Sequence, residues 1–264
     1  MKAVACRKAE IGAHRLGLAL TLLLGPLLTG CEGGLGATPT PEPMPSVVRV
    51  LAGDLAYDLG VDLAAAFNPT RRDVVVVVEP GPVAEASEAA RSGSADLALI
   101  ASAGSEGFQT PIGSIAVVPV GHPANSVRAL TLDQLRRILI GDIRDWGTVA
   151  GTPGPIQVIA PVPGSDLAAQ LDLALSANGQ LTSDALLAPT WDATSLLVPQ
   201  YPGAIGFLPV HRLDSGVVAL ADPLSVLVVA MASSEPRGAA RDFLNWVQSD
   251  AGQQIVDRRF EPIR

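Results

Sequence analysis

Between residues 47 and 101 the spacing of apolar positions changes every few residues. Val47 to Ala52 is a short apolar run, Leu55 to Phe67 carries apolar residues at helical spacing, and Val74 to Val78 is an unbroken row of five valines. The two runs predict strands, the valine row one that is buried on both faces, and the segment between them predicts a helix. Val83 to Arg91 reads as a second helix, Asp96 to Ala101 as a third strand and Ile115 to Val120 as a fourth. This βαβ rhythm predicts a mostly parallel sheet covered by helices.

Thr131 opens another helix with Gln134 three residues on, a pairing that satisfies two orphan N–H groups reciprocally. A turn at Gly141 leads to Trp146 and a Gly/Pro-rich loop. Ile156 to Ala160 reads as a strand and Ser165 to Leu175 as a helix, with a further helix near Trp191 capped by Asp192 or Thr194. Ala204 to Leu208 and Ser225 to Ala232 are strand candidates. Two helices close the chain, Pro236 to Val247 and Ala251 to Arg258, with Pro236 in a first turn and Gly252 as a break. No internal repeat is visible.

The first 30 residues follow another logic. Lys2, Arg7, Lys8 and Arg15 face one acid, Glu10, before an apolar run from Leu16 to Leu28 that contains Gly25 and Pro26. That run is shorter than the roughly 20 residues a spanning helix needs and fits the apolar core of a secretory signal peptide. It ends in Leu28-Thr29-Gly30-Cys31, which resembles the lipobox of bacterial lipoproteins; that resemblance implies cleavage before Cys31 and acylation of its thiol. In an ordinary signal peptide Cys31 would be incidental. Of Cys6 and Cys31 only the second survives cleavage, so no disulfide partner remains. Residues 31–46, rich in Gly, Thr and Pro, read as a semi-rigid tether.

Charge then narrows the partners. The whole chain carries −8, and removing a leader of net +3 takes it to about −11. Nucleic acid and electrostatic attachment to anionic lipid are disfavoured. Both lysines lie in the leader, which removes phosphate-loop binding and Schiff-base chemistry from the remaining chain. Neither a G-x-S-x-G nor an S-x-x-K motif occurs, and His122 and His211 lack metal-ligand spacing. No enzyme, cofactor or metal is therefore expected, a hydrolase using Ser165 being the weakest alternative.

Several stretches together resemble one family. Leu130-Thr131-Leu132-Asp133-Gln134-Leu135, followed by Ile138, Gly141, Ile143 and Trp146, is similar to a stretch of the phosphate-type substrate-binding proteins of ABC importers. Pro202-Gly203-Ala204-Ile205-Gly206-Phe207 resembles another, and Ala240-Arg241-Asp242-Phe243-Leu244, Ser249, Gly252 to Val256 and Pro262 resemble its closing helices. With residues 92–102 the likeness covers nearly all of 47–264. It implies a type II periplasmic-binding-protein fold: two α/β lobes joined by two crossing strands, with a ligand cleft between them. Residues 47–120 and 205–264 would form the first lobe and 121–204 the second.

In that family the loop after the first strand, a hydroxyl-bearing helix start and an R-x-x-G-S-G-T turn surround an oxyanion. By the same resemblance, the ligand candidates here are Gly53, Asp54, Leu55, Ser102, Gly164, Ser165 and Asp166. Only Gly164 and Ser165 keep the turn's pattern; Pro161, Asp166 and Leu167 stand at its arginine, glycine and threonine positions, and Pro80-Gly81-Pro82-Val83 lacks the hydroxyl. Exchanging a guanidinium for a carboxylate turns attraction into repulsion of about 4 kcal/mol per pair at ~4 Å. Asp54 and Asp166 have a plain reading, each interacting with the N–H groups of its own helix. They also have a sharper one, facing each other across the cleft to select a cationic or hydroxyl-rich solute.

Trp146 and Trp246 fit core positions, Trp191 either packing or ligand contact. Arg71-Arg72, Arg136-Arg137 and Arg258-Arg259 read as solvated faces, one pair available to a permease. The expectation is an extracytoplasmic solute-binding lipoprotein of an ABC-type importer, lipid-anchored at Cys31, taking a small molecule or ion and delivering it to an ABC permease. The alternative is a non-transport lipoprotein that uses the fold as a sensor or interaction module with a degenerate cleft.

Overall fold

In the computed structural model, which describes residues 44–101, 107–175 and 180–263, regular structure begins at Ser46, the last residue assigned above to the tether. β1 (Ser46–Ala52), α1 (Tyr57–Phe67), β2 (Val74–Pro80), α2 (Val83–Ser92) and β3 (Leu97–Ala101) follow the βαβ rhythm, and β1 pairs in parallel with both β2 and β3. The chain continues through β4 (Phe108–Gly121), α3 (Leu132–Leu139), β5 (Gln157–Pro161), α4 (Asp166–Leu175), β6 (Leu186–Ala188) and α5 (Trp191–Leu197). It ends with β7 (Ala204–Pro209), β8 (Val218–Ala219), β9 (Leu224–Ala232), α6 (Gly238–Val247), α7 (Asp250–Val256) and β10 (Glu261–Pro262).

One sheet runs in the order β2-β1-β3-β9-β4-β7-β5-β6, with β8 and β10 also paired to β4. Only its ends are parallel: β3-β9, β9-β4 and β4-β7 are all antiparallel, so a mostly parallel sheet is not what forms. The reason is β4. It spans 14 residues rather than the six apolar ones that mark it in the sequence, pairing with β9 over its first part and with β7 over its last. Gln109, Thr110 and Ser114 give no strand period, and backbone pairing to β9 holds them. The register slips between Pro111 and Gly113, where proline has no N–H to give. β4 and β7 thus carry the chain between the two ends of the sheet.

The valine row is also less buried than its composition suggests. β2 is an edge strand, so Val74 and Val76 face the core while Val77 is 39% exposed. At the other end of the chain, Pro236 precedes α6 rather than opening it, and Gly252 lies inside α7, its N–H accepted by Ser249 Oγ. The capping box of α3 forms as its spacing predicts: Thr131 Oγ1 accepts from Gln134 N–H and Gln134 Oε1 from Thr131 N–H. α5 is capped by Thr190, which accepts from Ala193 N–H, and not by Asp192 or Thr194.

The main core runs from β1 and β3 under α1, α6 and α7. Its aromatic centre is Phe67, with Phe243 edge-on at 5.2 Å and Trp246 at 5.4 Å between ring centroids. Phe243 is fully buried, so Phe243→Ala removes both apolar contact and an edge-to-face pair. A loss of about 3–5 kcal/mol is expected, read as a lower urea midpoint at unchanged slope.

Candidate functional site

The carboxyl ends of β1, β3 and β5 converge on one spot. After β1 the chain turns at Gly53 and Asp54 towards α1; after β5 it turns through Val162 to Ser165 into α4; β3 stops there at Ala101. The first N–H groups of α4 need acceptors. Ser165 Oγ takes that of Ala168 at 3.1 Å, as its position in the sequence suggests. The N–H of Asp166 is taken by Asp54 Oδ1 at 2.6 Å, from 112 residues away. Asp54 was expected to cap the helix that follows it. Instead α1 starts after Ala56 with no side-chain cap, and Asp54 serves α4.

Asp166 likewise does not serve its own helix. Its side chain is fully buried, and Oδ1 accepts the N–H of Ala101 at 3.1 Å. Among the described residues, Oδ2 has no hydrogen-bond partner. The carboxylate presses so close to Gly53 that a Cβ there would stand 1.6 Å from Oδ2, so no other residue fits at position 53 without displacing Asp166. Next to it, Gly164 O accepts the N–H of Val83, the first residue of α2, at 3.3 Å. The α4 turn is therefore tied to the ends of β1 and β3 and to the start of α2.

Two carboxyl groups so placed cannot both ionise cheaply. Burial, then the charge of Asp54, pushes the Asp166 carboxyl up to about 7, against the pull of the Ala101 and Leu55 N–H groups. Burial also raises Asp54, opposed by N–H groups from Asp166, from Asp54 itself, and from Leu55 and Leu167.

Beside this pair lies a cavity of about 330 Å³. Asp54, Tyr57, Ser165, Leu167, Trp191 and Phe207 contribute to its wall. Arg212, just after β7, closes one side by pairing with Asp58 of α1 at 3.1 Å and Asp192 of α5 at 2.6 Å. A recess of about 580 Å³ lies near Asn125, Pro155, Tyr201 and Gly203, at the amino ends of β5 and β7. In sheets with parallel α/β units, ligands gather at the carboxyl ends of strands, which selects the smaller cavity.

Gly53, Asp54, Leu55, Gly164, Ser165 and Asp166 therefore come together in space. Ser102 and Cys31 lie outside the described residues. Trp191 both packs against two apolar clusters and faces the cavity. Sequence reasoning missed Tyr57, Asp58, Asp192, Arg212 and the Ala101 N–H. The four side chains sit in no motif, and the packing of α1 and α5 around the end of β7 reveals them; the Ala101 N–H, within the 92–102 stretch, is reached by Asp166 of α4. Of the paired arginines, Arg71 bonds Asp73 and Asp242, and Arg259 pairs with Asp58 and Asp62.

The stretches that carried the family resemblance mostly build structure. Trp146 is buried and its Nε1 donates to Gly203 O at 3.1 Å, while a Cβ on Gly203 would stand 2.0 Å from Pro155 O. Gln253 of α7 donates to Ile112 O and Val247 O and accepts from Ile263 N–H, tying down the tail.

A family model described as a PBP superfamily domain matches residues 40–221. Among solved structures, a putative phosphate ABC transporter substrate-binding protein from Clostridium perfringens, with bound phosphate, superposes with TM-score 0.72 at 19% identity, covering 83% of this chain and all of its own. An ABC-type phosphate transport receptor from Vibrio cholerae gives 0.74 at 18%, covering 82% of this chain and all of its own. A reduced form of OxyR from N. meningitidis gives 0.59 at 15%, covering 83% and 100%. At these identities the likeness is one of fold, and it is the type II periplasmic-binding-protein fold.

The raised Asp166 carboxyl sets a pH test. Because folding favours its protonated form, its contribution to stability is fully present below the ordinary value of 3.8 and is lost as pH rises to about 7. Asp166→Asn keeps an oxygen for Ala101 and removes the charge. The variant should gain on the parent progressively from pH 4 to pH 7, reaching on the order of 3 kcal/mol at pH 8. Urea midpoints for both proteins across that range check it; parallel profiles would contradict the buried charge.

Proposed function

Because this chain belongs to the PBP superfamily, we propose that it is an extracytoplasmic solute-binding lipoprotein of an ABC-type importer whose ligand is not phosphate. Substrate-binding proteins of this kind hold a small solute or ion between two lobes and deliver it to a permease. On this reading residues 47–120 and 205–264 form the first lobe and 121–204 the second, with β4 and β7 crossing between them. Residues 1–30 are the leader, Cys31 is the lipid attachment point and 31–46 the tether.

One observation carries the change of ligand: the Asp166 carboxylate is buried against Gly53 and takes the Ala101 N–H. By the family resemblance, the loop after the first strand and the α4 turn are where an oxyanion is held. Here a carboxylate of the protein occupies that corner and spends its donors. An external phosphate would have to displace it and would then meet Asp54 as well. Ser165, the hydroxyl that keeps the family pattern, accepts the Ala168 N–H and has only its O–H to offer. What remains open is the adjoining cavity, with its aromatic and carboxylate walls.

A second reading is favoured by the same contact. The Asp54–Asp166 pair, the Val83–Gly164 bond and the Arg212 bridges tie the two ends of the sheet together. A fold held in that way would serve a sensor or interaction module without transport.

Titration calorimetry with millimolar phosphate and sulfate is the direct test. No heat is expected from the parent protein, and micromolar binding abolished by Ser165→Ala would restore the family ligand and refute the proposal. In cells, Cys31→Ser should abolish palmitate labelling and leave the leader of residues 1–30 uncleaved. Palmitate labelling that persists in this variant would refute attachment at Cys31.

A further inference from the structure

We infer that the cavity between α1, α4 and α5 binds a small organic cation, an ammonium group carried on a compact apolar body. The inference rests on the reading that the oxyanion corner is taken by Asp166 and that solute is captured beside it.

Among the described residues, the wall of the cavity carries more negative than positive charge. Three carboxylates, Asp54, Asp58 and Asp192, face Arg212, the single basic group among the described residues that line it. That guanidinium is already shared between Asp58 and Asp192, and Asp58 is also within 3.7 Å of Arg259. No lysine follows residue 8, so none can supply a second charge from elsewhere in the folded chain. The hydroxyl oxygens are partly used: those of Ser165 and Thr190 accept the N–H groups of Ala168 and Ala193 and keep their O–H groups, and Thr194 Oγ1 donates to Thr190 O. The N–H of Asp166, at the start of α4, is spent on Asp54.

Each solute class meets this wall differently. An anion finds carboxylates and one guanidinium that is already shared between two of them. A sugar needs matched donors and acceptors around its ring, and every hydroxyl left unpaired in a partly desolvated site costs affinity. An ammonium group brings donors and positive charge, which is what the carboxylates lack. The rest of the wall suits an apolar body: Tyr57, Trp191 and Phe207 supply aromatic surface, with Ile159 and Leu167 beside them. Aromatic faces add a further attraction for a cation. At about 330 Å³ the space is at the small end of ligand cavities, which points to a molecule of a few heavy atoms rather than a peptide.

The test is a thermal-shift and calorimetric comparison on the purified full chain, with choline and butylamine as cationic probes and with phosphate and glucose. At least one ammonium compound should raise the midpoint, more strongly at low ionic strength. In Arg212→Gln, which frees Asp58 and Asp192, the affinity for that compound should rise severalfold. In Asp192→Asn it should fall severalfold. Asp192 is largely exposed, so this variant keeps the fold even where the Arg212 variant does not. Opposite movement of the two variants separates an electrostatic site from a merely structural bridge, whose loss would weaken binding in both.

A shift with glucose and none with either amine would overturn the cation while leaving the altered-solute reading in place. A shift with phosphate would overturn both. Silence from every probe would overturn the inference and turn the choice towards the module without transport.

Discussion

A carboxylate withdrawn from water must be surrounded by groups that tolerate its charge, or it must hold a proton. Asp166 is in that position, and much of the site is arranged around it. Gly53 has no side chain because the carboxylate lies where its Cβ would be. Ala101 ends its strand with an N–H aimed at Oδ1, and Asp54 turns away from its own helix to hold the backbone of Asp166. One buried group thus couples the ends of β1 and β3 to the start of α4, although these segments are far apart in the chain.

The same contact is where, on the proposed function, family resemblance and ligand chemistry would separate. The residues that identify the family make caps, turns and close backbone approaches, such as the Thr131–Gln134 box and the Trp146–Gly203 bond. Those features are needed by the fold whatever is bound. The residues that choose a ligand sit at strand ends and helix starts, where a single exchange reverses the local charge without disturbing the sheet. On the proposed reading, the fold is kept while the corner at the start of α4 is filled by the protein's own carboxylate.

Beside that corner, the cavity brings together groups with different structural origins. Asp58 and Tyr57 come from the first turn of α1, Trp191 and Asp192 from the first turn of α5, and Arg212 from the turn after β7. Arg212 is half-buried between two carboxylates, so the bridge joins opposite ends of the sheet while leaving the wall net acidic. Charge that holds the two ends together and charge that would select a solute are here the same groups.

The sequence by itself determined the order of the main elements, the capping box of α3, the βαβ opening and the convergence of the family motifs. These are local: each depends on residues within a few positions of one another. It also drew attention to Ser165 and Asp166 through the turn that contains them. Tertiary structure alone decided that β4 runs on through Gln109 and Thr110 in antiparallel pairing, because backbone bonds to β9 leave no side-chain period. It alone decided that the valine row is an edge, since the number of neighbours a strand has is not written in its own residues. And it alone decided that Asp54 caps a helix 112 residues away and that Asp166 looks outward to Ala101. A helix start shows that an acceptor is wanted; only the folded chain determines which acceptor is near enough to answer.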